Sequence, residues 1–445
     1  MKSKRGLIPV YLLLTQLLSA FNSDAQPVIK IAAGQNHGFF LKSDGSLWAM
    51  GLNNSGQLGD GTYNQTNYPE QIVSSNVTAI VSGAQSSHSL FQKNDGSLWA
   101  MGLNLSGQLG DGTYTTTNRP ERIVTNNVTA LAAGDSHSLF IKTDGSLWAM
   151  GFDTDGQLGD GTYNPTNRPK LIVTSNVMAV AAGYERSLIL KNDGSLWGMG
   201  GNANGDLGGN VVGRTNQPVL ILSNNVAAMA AGYDHNLILK TDGSLWGMGD
   251  NSYGQLGDGN YNNTNSPERI LASNVVAIAT GSYFSLFLKS DGSLWAMGNN
   301  GDGQLGDGTY NSTNRPEQIV AGHVVAIAAG DGHSLFLKND GSLWAMGNNS
   351  YGQLGDGTVN NNTNRPEQIL AAYDQISPHP LTGGNVQFTF VGIVGANYAL
   401  DRSFRLAPAN WVPQATNAAN SIGALNFTNT PKPATNNFWR IRWVP

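Results

Sequence analysis

The chain has 445 residues, of which 40% are hydrophobic and only 12% are charged, with a formal net charge of −5 and no cysteine. These values allow a large folded core, and they exclude a disulfide framework and thiolate catalysis. The mild acidity and the lack of a basic stripe argue against nucleic-acid binding.

The first 25 residues have the three-part form of a secretory signal. Lys2, Lys4 and Arg5 provide a positive start, an apolar run covers residues 7–20, and cleavage is predicted after Ala25. Removing this segment would leave 22 basic and 29 acidic residues, a net charge of −7. We expect a cleaved signal rather than an uncleaved anchor, a secreted or cell-surface location, and no membrane insertion, since no later stretch approaches about 20 apolar residues.

A repeat of about 49 residues follows the signal. The segment D-G-S-L-W-(A/G)-M-G occurs seven times, with its tryptophans at Trp48, Trp99, Trp148, Trp197, Trp246, Trp295 and Trp344. The second unit carries two extra residues between its A/S-G and histidine positions. Each unit holds three short apolar stretches of strand length and a polar tail, and no helical period of useful length. Four strands in each of seven units predict an all-β, seven-bladed β-propeller over residues 26–372.

Two details of each blade follow from the residues. The Asp-Gly pair between the second and third stretches, as at Asp44-Gly45, predicts a two-residue hairpin with a type I′ turn. The repeated tryptophan is expected to lie buried between neighbouring blades, so that replacing it by alanine in a middle blade would strongly destabilise the protein. Exchange of a strand between the first and last blades is a further possibility, because the first unit begins at Val28.

The repeat resembles that of the regulator of chromosome condensation family. The resemblance rests on G-x-N-x-x-G-Q-L-G-D-G-T at residues 51–62 and on A-A-G-x-x-H-S-L at residues 132–139, and it extends over about residues 28–370. It implies a seven-bladed propeller. The family's founding member exchanges guanine nucleotide on a nuclear GTPase and binds chromatin, a role that a secretion signal makes improbable. Secreted bacterial relatives include a proteinaceous β-lactamase inhibitor that covers its target with one propeller face. This chain resembles that secreted bacterial type, and the resemblance does not identify the same partner.

The repeat stops after residue 370. A linker is predicted over residues 373–384, and residues 385–445 alternate apolar and polar residues, as in Val386 to Phe390 and in Phe438 to Trp443. This alternation predicts a small C-terminal β-sandwich-like module. Its role stays open between attachment, sorting and stabilisation.

Two sets of repeated polar residues are candidates for metal binding. The histidines after the A-A-G stretch are His37, His88, His137, His235 and His333. The aspartates of the G-Q-L-G-D-G loops are Asp60, Asp111, Asp160, Asp258, Asp307 and Asp356. Equivalent positions on different blades are too far apart to share a zinc ion, and each loop offers one carboxylate for calcium. We therefore expect histidines bonded to local backbone groups, aspartates that cap their own turns, and no cofactor.

The loop after A-A-G differs from unit to unit, whereas the rest of the repeat is nearly constant. These loops fall on one face of a propeller, and those of units four to six hold most of the tyrosine and arginine residues that act as interface anchors. The predicted partner-binding residues are Tyr184, Glu185, Arg186, Tyr233, Asp234, Tyr283, Phe284 and Asp331. Neutral variation of exposed loops would produce the same pattern.

Three functions are compatible with the sequence. The first is a secreted, non-enzymatic, monomeric scaffold that binds an unidentified protein or glycan through one propeller face. The second is a structural cell-surface protein. The third is an enzyme such as a lyase or glycosidase, for which Glu185 and Asp206 of the divergent fourth unit are the only suggestive carboxylate pair. We favour the scaffold, because the sequence variation is concentrated on one predicted face.

Overall fold

The structure, a computed structural model, describes residues 26–370 and six further strands between residues 377 and 444. The predicted signal segment, residues 1–25, lies outside the described residues. Within the part described, every regular element is a β-strand.

Seven four-stranded antiparallel sheets follow one another along the chain, each in the order of its own sequence. The first four contain β1 (Val28–Ala33), β2 (His37–Lys42), β3 (Leu47–Gly51) and β4 (Thr66–Val73); β5 (Val77–Val81), β6 (His88–Lys93), β7 (Leu98–Gly102) and β8 (Thr117–Val124); β9 (Val128–Ala133), β10 (His137–Lys142), β11 (Leu147–Gly151) and β12 (Thr166–Val173); and β13 (Val177–Ala182), β14 (Arg186–Lys191), β15 (Leu196–Gly201) and β16 (Arg214–Leu222). The last three contain β17 (Val226–Ala231), β18 (His235–Lys240), β19 (Leu245–Gly249) and β20 (Thr264–Leu271); β21 (Val275–Thr280), β22 (Phe284–Lys289), β23 (Leu294–Gly298) and β24 (Thr313–Val320); and β25 (Val324–Ala329), β26 (His333–Lys338), β27 (Leu343–Gly347) and β28 (Thr363–Leu370).

The first strand of each blade lies nearest the axis of a closed ring. These strands contact one another in succession, β1 with β5, β5 with β9, and so on to β25, which contacts β1. The chain is therefore a seven-bladed β-propeller, as the repeat predicts.

The ring closes by packing of complete blades. The strand β1 pairs with β2 of its own blade and contacts β25 and β26 of the last blade. Across the same seam the Gly357 N–H donates to the Asn67 carbonyl at 2.9 Å, and the Asn67 side chain returns a hydrogen bond to the Gly357 carbonyl at 2.7 Å. In the described ring no strand is exchanged between the first and last blades, and the strand exchange that the sequence left open does not occur there.

The apolar core consists of layers between neighbouring blades. Phe39, Leu47 and Ala49 of the first blade pack with Phe91 and Met101 of the second, and all five are inaccessible to solvent. Equivalent clusters recur around the ring. A blade separated from its neighbours would expose both faces of its sheet, so the ring is the stable unit.

The repeated tryptophans lie at these layers and are half-buried rather than buried. Trp148 stacks on Phe140 with ring centroids 6.1 Å apart, and Lys142 lies over its exposed side at 4.3 Å from the ring centroid. The indole N–H donates to the Ser146 hydroxyl at 3.0 Å. The prediction of an inter-blade position is confirmed, and the lysine accounts for the part of each ring that the blades leave uncovered.

The hairpin between the second and third strands is confirmed, but its predicted type I′ turn is wrong. The Gly45 N–H donates to the Lys42 carbonyl at 3.0 Å, and within this loop only Gly45 has a positive φ, 78°. The Asp44 carboxylate accepts the Ser46 N–H at 2.8 Å. The loop contains one residue more than a type I′ hairpin allows, and it forms a type I turn followed by a left-handed glycine.

Four of the five recurrent histidines form a hydrogen bond to the next blade rather than to a local backbone group. His88 Nε2 lies 2.8 Å from the Ser138 hydroxyl of the next blade, and that hydroxyl donates to the Gln108 carbonyl at 2.7 Å. Burial lowers the pKa of the five histidines to between about 3 and about 4, so they are neutral at physiological pH. For His37, His88, His137 and His235, serines of the adjacent blade therefore replace the local backbone partners expected from the sequence. The fifth, His333, has no such serine, and its Nε2 has no hydrogen-bond partner among the described residues.

The loop aspartates cap their own turns, as predicted. The Asp60 carboxylate accepts the Thr62 N–H at 2.8 Å and the Thr62 hydroxyl at 2.7 Å. It also accepts the Asn53 side-chain amide at 2.9 Å. Among the described residues there is no group of three or more His, Cys, Asp or Glu side chains that could hold a metal ion.

Six strands follow the propeller: β29 (Ser377–Pro380), β30 (Val386–Val391), β31 (Asn397–Ser403), β32 (Val412–Ala418), β33 (Ala424–Asn429) and β34 (Phe438–Val444). They form two three-stranded sheets, ordered β29-β30-β33 and β32-β31-β34. The first strand falls within the predicted linker. The sandwich-like packing predicted for this module remains a prediction.

Candidate functional site

The two ends of the propeller differ in the loops that they carry. Because neighbouring strands run antiparallel, the loops after each first strand and each third strand emerge at the same end, where His37 pairs with Gly51. We call this end the loop face and the end with the Asp-Gly turns the hairpin face. The loops of the hairpin face are nearly identical between units, so the variation lies on the loop face.

Exposed apolar side chains are also concentrated on the loop face. The long connections between third and fourth strands contain Tyr63, Leu105, Tyr114, Tyr163, Val212, Tyr253, Tyr261, Tyr310, Tyr351 and Val359, all exposed. Among the described residues, the other large exposed apolar side chains lie on strands. Exposed aromatic residues on one face are typical of an interaction surface.

Three of the predicted tyrosines meet on this face. The rings of Tyr184 and Tyr233 stack with centroids 4.3 Å apart and planes inclined by 20°. Tyr283 continues the row at 5.2 Å from Tyr233, and Tyr253 joins it at 5.2 Å from Tyr283. These four residues, the tyrosine cluster, come from the fourth, fifth and sixth blades. Tyr253 was not among the predicted residues, because it lies in the connection between β19 and β20 rather than in a loop after a first strand.

Carboxylates flank the tyrosine cluster. Burial, and then the nearby Asp155, Asp234 and Asp135, raise the pKa of Glu185. Burial also raises the pKa of Asp331 and of the Tyr283 hydroxyl. The site is therefore an anionic, partly desolvated surface built around aromatic rings.

Arg186 supports this surface from below rather than facing a partner. Its side chain is only 1% exposed, and its Nη1 lies 2.7 Å from Asp206 Oδ2. The guanidinium also donates to the carbonyl oxygens of Tyr233 at 2.6 Å and His235 at 2.7 Å. It thereby fixes the loop that carries the Tyr233 ring.

Two residues of the predicted binding set are not on the surface. Arg186 and Phe284 begin the second strands of their blades at the position that histidine occupies elsewhere, and both are buried. Their placement on an exposed loop was wrong because the strands β14 and β22 begin one residue earlier than the variable loop suggested. Tyr184, Glu185, Tyr233, Asp234, Tyr283 and Asp331 do lie in loops of the loop face.

The structure also excludes the carboxylate pair considered for glycosidase chemistry. Asp206 is 2% exposed and is held by Arg186. Burial raises the pKa of the Asp206 carboxyl to about 6 although Arg186 opposes the shift. Asp206 occupies the position of a glutamine in the other units, and Arg186 occupies the position of a histidine in most of them. The opposite charges of these two replacements neutralise each other within the core.

The two-residue insertion of the second unit closes the axis on the loop face. The Gln85 side chain donates to Asp331 Oδ1 at 2.8 Å and also to the Ser282 hydroxyl. Ser282 and Asp331 belong to the sixth and seventh blades, which are not neighbours of the second. Gln85 therefore crosses the axis, and the loop face is a continuous platform there.

Within the residues that the structure describes, no helix is long and apolar enough to cross a membrane.

Known proteins share the repeat and the fold. Residues 171–388 match the RCC1-like domain. Residues 28–57 and 128–157, and residues 44–90, 95–141 and 144–190, match two descriptions of the regulator of chromosome condensation (RCC1) repeat. Human Protein RCC2 is 35% identical over 102 residues, which are 22% of this chain and 20% of that protein. The human ligase HERC5 is 32% identical over 114 residues, 24% of this chain and 11% of that protein.

The chain thus spans about a fifth or less of the length of these curated relatives. Among solved structures, human WBSCR16 has a TM-score of 0.64 at 27% identity, covering 70% of this chain and 87% of that one. Prp20p from Saccharomyces cerevisiae has a TM-score of 0.67 at 20% identity, covering 80% and 89%. Because the RCC1 repeat and RCC1-like domain matches together extend over nearly all of the propeller, the chain belongs to the RCC1 repeat family.

Proposed function

We propose that this protein is a non-enzymatic binding protein that recognises a protein partner through its loop face, with the tyrosine cluster at the centre of the contact. The observation that carries this proposal is the stacking of Tyr184, Tyr233 and Tyr283, three half-buried side chains from three blades, into one row with the exposed Tyr253. Tyrosines supply a large contact area at a small loss of side-chain entropy, and they are enriched among residues that dominate binding energy.

The surroundings of the cluster support the same function. Gln85 closes the axis, so that a partner would meet a platform rather than a channel. Arg186 fixes the Tyr233 loop, which reduces the ordering that binding requires. The hairpin face offers neither exposed aromatic loops nor comparable variation between units.

The relatives favour a protein partner over a glycan. Yeast Prp20p binds Gsp1p and histones, and in a second structure Kap60 is bound to Prp20. The location proposed for the present protein, secreted or on the cell surface, rests on the signal-like sequence of its first 25 residues. Its partner is consequently proposed to lie outside the cytoplasm and to differ from those of the yeast protein. We propose that it acts as a monomer.

Affinity capture tests this function. The chain from residue 26 is immobilised beside a Tyr184→Ala/Tyr233→Ala/Tyr283→Ala variant, and both are exposed to the envelope and culture medium of the producing organism. Captured proteins are identified by mass spectrometry, and each is then purified and titrated directly. A partner that binds the unaltered protein and loses at least about tenfold in affinity for the variant supports the proposal, since such anchors contribute about 1.4 kcal/mol or more.

The control is a second triple variant, Tyr63→Ala/Tyr114→Ala/Tyr310→Ala, which removes exposed tyrosines from the rim of the same face. Equal losses in the two variants would contradict a contact centred on the tyrosine cluster. Capture of nothing by the unaltered protein would favour the structural cell-surface alternative.

A further inference from the structure

The carboxylates around the tyrosine cluster have no cationic partners of their own. Among the described residues, Glu185 and Asp331 are in no ion pair, whereas other acids on the loop face have a cationic partner, for example Asp160, which pairs with Lys170. Asp234 Oδ1 lies 3.7 Å from Arg186 Nη1, but that guanidinium is closer to Asp206, at 2.7 Å. The exposed surface of the cluster therefore keeps uncompensated negative charge.

These carboxylates also repel one another. The negative charges of Asp155, Asp234 and Asp135 add to burial in raising the pKa of Glu185, and Asp250 acts in the same way on Asp234. Repulsion between like charges in a partly desolvated site is unfavourable in the free protein. A cation bound among them would relieve it, so that charge neutralisation would add to the binding free energy.

The rings provide the second half of a cation site. The negative face of a tyrosine ring attracts ammonium and guanidinium groups. The protein already uses this contact within its own repeats, where Lys240 lies 3.7 Å from the centroid of the Trp246 ring. On the loop face, tyrosines and uncompensated carboxylates stand side by side, which is the arrangement that an arginine or lysine side chain fits.

We propose that the partner presents a basic segment, with arginine or lysine side chains, to the tyrosine cluster and its flanking carboxylates. This inference rests on the proposed function and specifies the chemistry of the partner. A second copy of the chain does not fit as the occupant, because it would bring the same negative face to the contact. An uncharged glycan would leave the carboxylates unneutralised.

Peptides of defined charge test the inference without requiring the natural partner. The chain from residue 26 is titrated by calorimetry with octa-arginine, octa-lysine and octa-glutamine at low and high salt. We expect binding of the two cationic peptides, weakening as salt is raised, and no binding of octa-glutamine. Glu185→Gln and Tyr184→Ala should each raise the Kd for octa-arginine by about fivefold, in line with one cation contact of about 1 kcal/mol.

The matched control is Glu121→Gln, which removes the same charge from an exposed position on the outer strand β8. An equal effect of Glu121→Gln and Glu185→Gln would show general attraction to an acidic protein and would overturn the inference, as would absence of binding. Unfolding midpoints of all variants are measured, because Glu185 and Tyr184 are only half-buried and their replacement is expected to leave the fold intact.

The two proposals can fail separately. A natural partner that depends on the tyrosine cluster but presents no arginine or lysine to it would overturn the basic-segment inference and leave the proposed function standing. Cluster-dependent binding of octa-arginine alongside captured partners that ignore the cluster would contradict the proposed function instead.

Discussion

Replacing Asp153 by asparagine should stabilise the protein, and by more at high pH than at low pH. In the other six units this position is asparagine. The Asn300 amide, for example, donates to Asp307 Oδ1 at 3.0 Å and to the Thr309 carbonyl at 3.1 Å. Asp153 is fully buried and still accepts the Leu158 N–H at 2.9 Å, but its Oδ2 has no hydrogen-bond partner within the described structure.

The magnitude follows from the pKa of Asp153. Burial, and then the adjacent Asp160, raise it to about 7, against about 3.9 in an unfolded chain. The native state therefore binds more protons than the unfolded state between about pH 4 and pH 7. The stability that the protonated carboxyl provides is present below pH 4 and is lost as the pH rises through 7. At 1.36 kcal/mol per pKa unit the full loss is about 4 kcal/mol. About 2 to 3 kcal/mol of it falls between pH 5 and pH 8, because the rest is lost below pH 5.

The assay is urea unfolding of the unaltered protein and Asp153→Asn at pH 5 and at pH 8. Other titrating groups, the histidines included, act on both proteins and cancel in the difference. The advantage of the variant should be small at pH 5, where a protonated carboxyl can donate as an amide does, and should grow by about 2 to 3 kcal/mol at pH 8.

The structure supplies a matched control in the sixth blade. Asn300→Asp introduces the same buried carboxylate beside Asp307, but the residue that corresponds to Lys170 is Glu317. This variant should be destabilised by more than the amount that Asp153→Asn gains. A difference between the unaltered protein and Asp153→Asn that is the same at both pH values would refute the reasoning, because it would mean that Asp153 is ionised throughout.

Four further predictions concern stability. Gly38→Ser should stabilise the fold by about 1 kcal/mol in thermal unfolding. Gly38 occupies the position at which other blades have the serine that bonds the histidine of the preceding blade, and His333 Nε2 therefore has no partner in the described structure. A loss of stability would show that the nearby Met50 side chain cannot move aside. Asp206→Asn should destabilise by about 3 kcal/mol in urea, because it removes the nearer and buried carboxylate partner of the buried Arg186 and leaves only Asp234 at 3.7 Å; a change below about 1 kcal/mol would contradict that role. A chain that starts after residue 34 lacks β1 and should lose its cooperative unfolding transition, since β1 closes the ring; a retained transition would contradict closure by this strand. As the pH is lowered from about 6.5 to 3, the free energy of unfolding should fall by up to about 1.4 kcal/mol per pH unit for each buried histidine, because in this range the unfolded state binds protons that the folded state does not. A free energy of unfolding that stays constant over this range in urea unfolding would show that the histidines are already charged in the folded protein.

The sequence was sufficient for the fold because the repeat carries it. Seven copies of one strand pattern specify seven blades, and a change in one copy cannot alter a register that six others define. The turn type was missed because the Asp-Gly pair alone does not specify loop length. Strand exchange could not be decided, since it depends on which strand β1 pairs with, a contact that the linear pattern leaves open.

The candidate site was only partly predictable for a related reason. Tyr184, Tyr233 and Tyr283 could be found by comparing the units, since they lie in the one loop that varies while the rest of the repeat is nearly constant. The same comparison placed Arg186 and Phe284 on the surface, because one residue in register separates a loop tip from a buried strand. Their burial depends on what the next blade presents, and those contacts lie about 50 residues away in the chain.

Compensating changes were visible in the sequence but could not be paired without the structure. Arg186 and Asp206 lie in one unit, as do Asp153 and Lys170, and each pair replaces residues that are nearly constant elsewhere. The fold pairs Arg186 directly with Asp206, and it places Lys170 on Asp160, close enough to Asp153 to act on its charge. Departures that occur in the same unit are therefore a usable signal in repeat proteins.

Direct titration of a captured partner against the variants of the loop face tests the proposed function most directly. Calorimetry would compare the unaltered protein, the Tyr184→Ala/Tyr233→Ala/Tyr283→Ala variant and the rim variant Tyr63→Ala/Tyr114→Ala/Tyr310→Ala under one set of conditions. We expect the cluster variant to lose at least about tenfold in affinity and the rim variant to lose much less. Equal affinity of all three proteins for the partner would contradict a binding site at the tyrosine cluster.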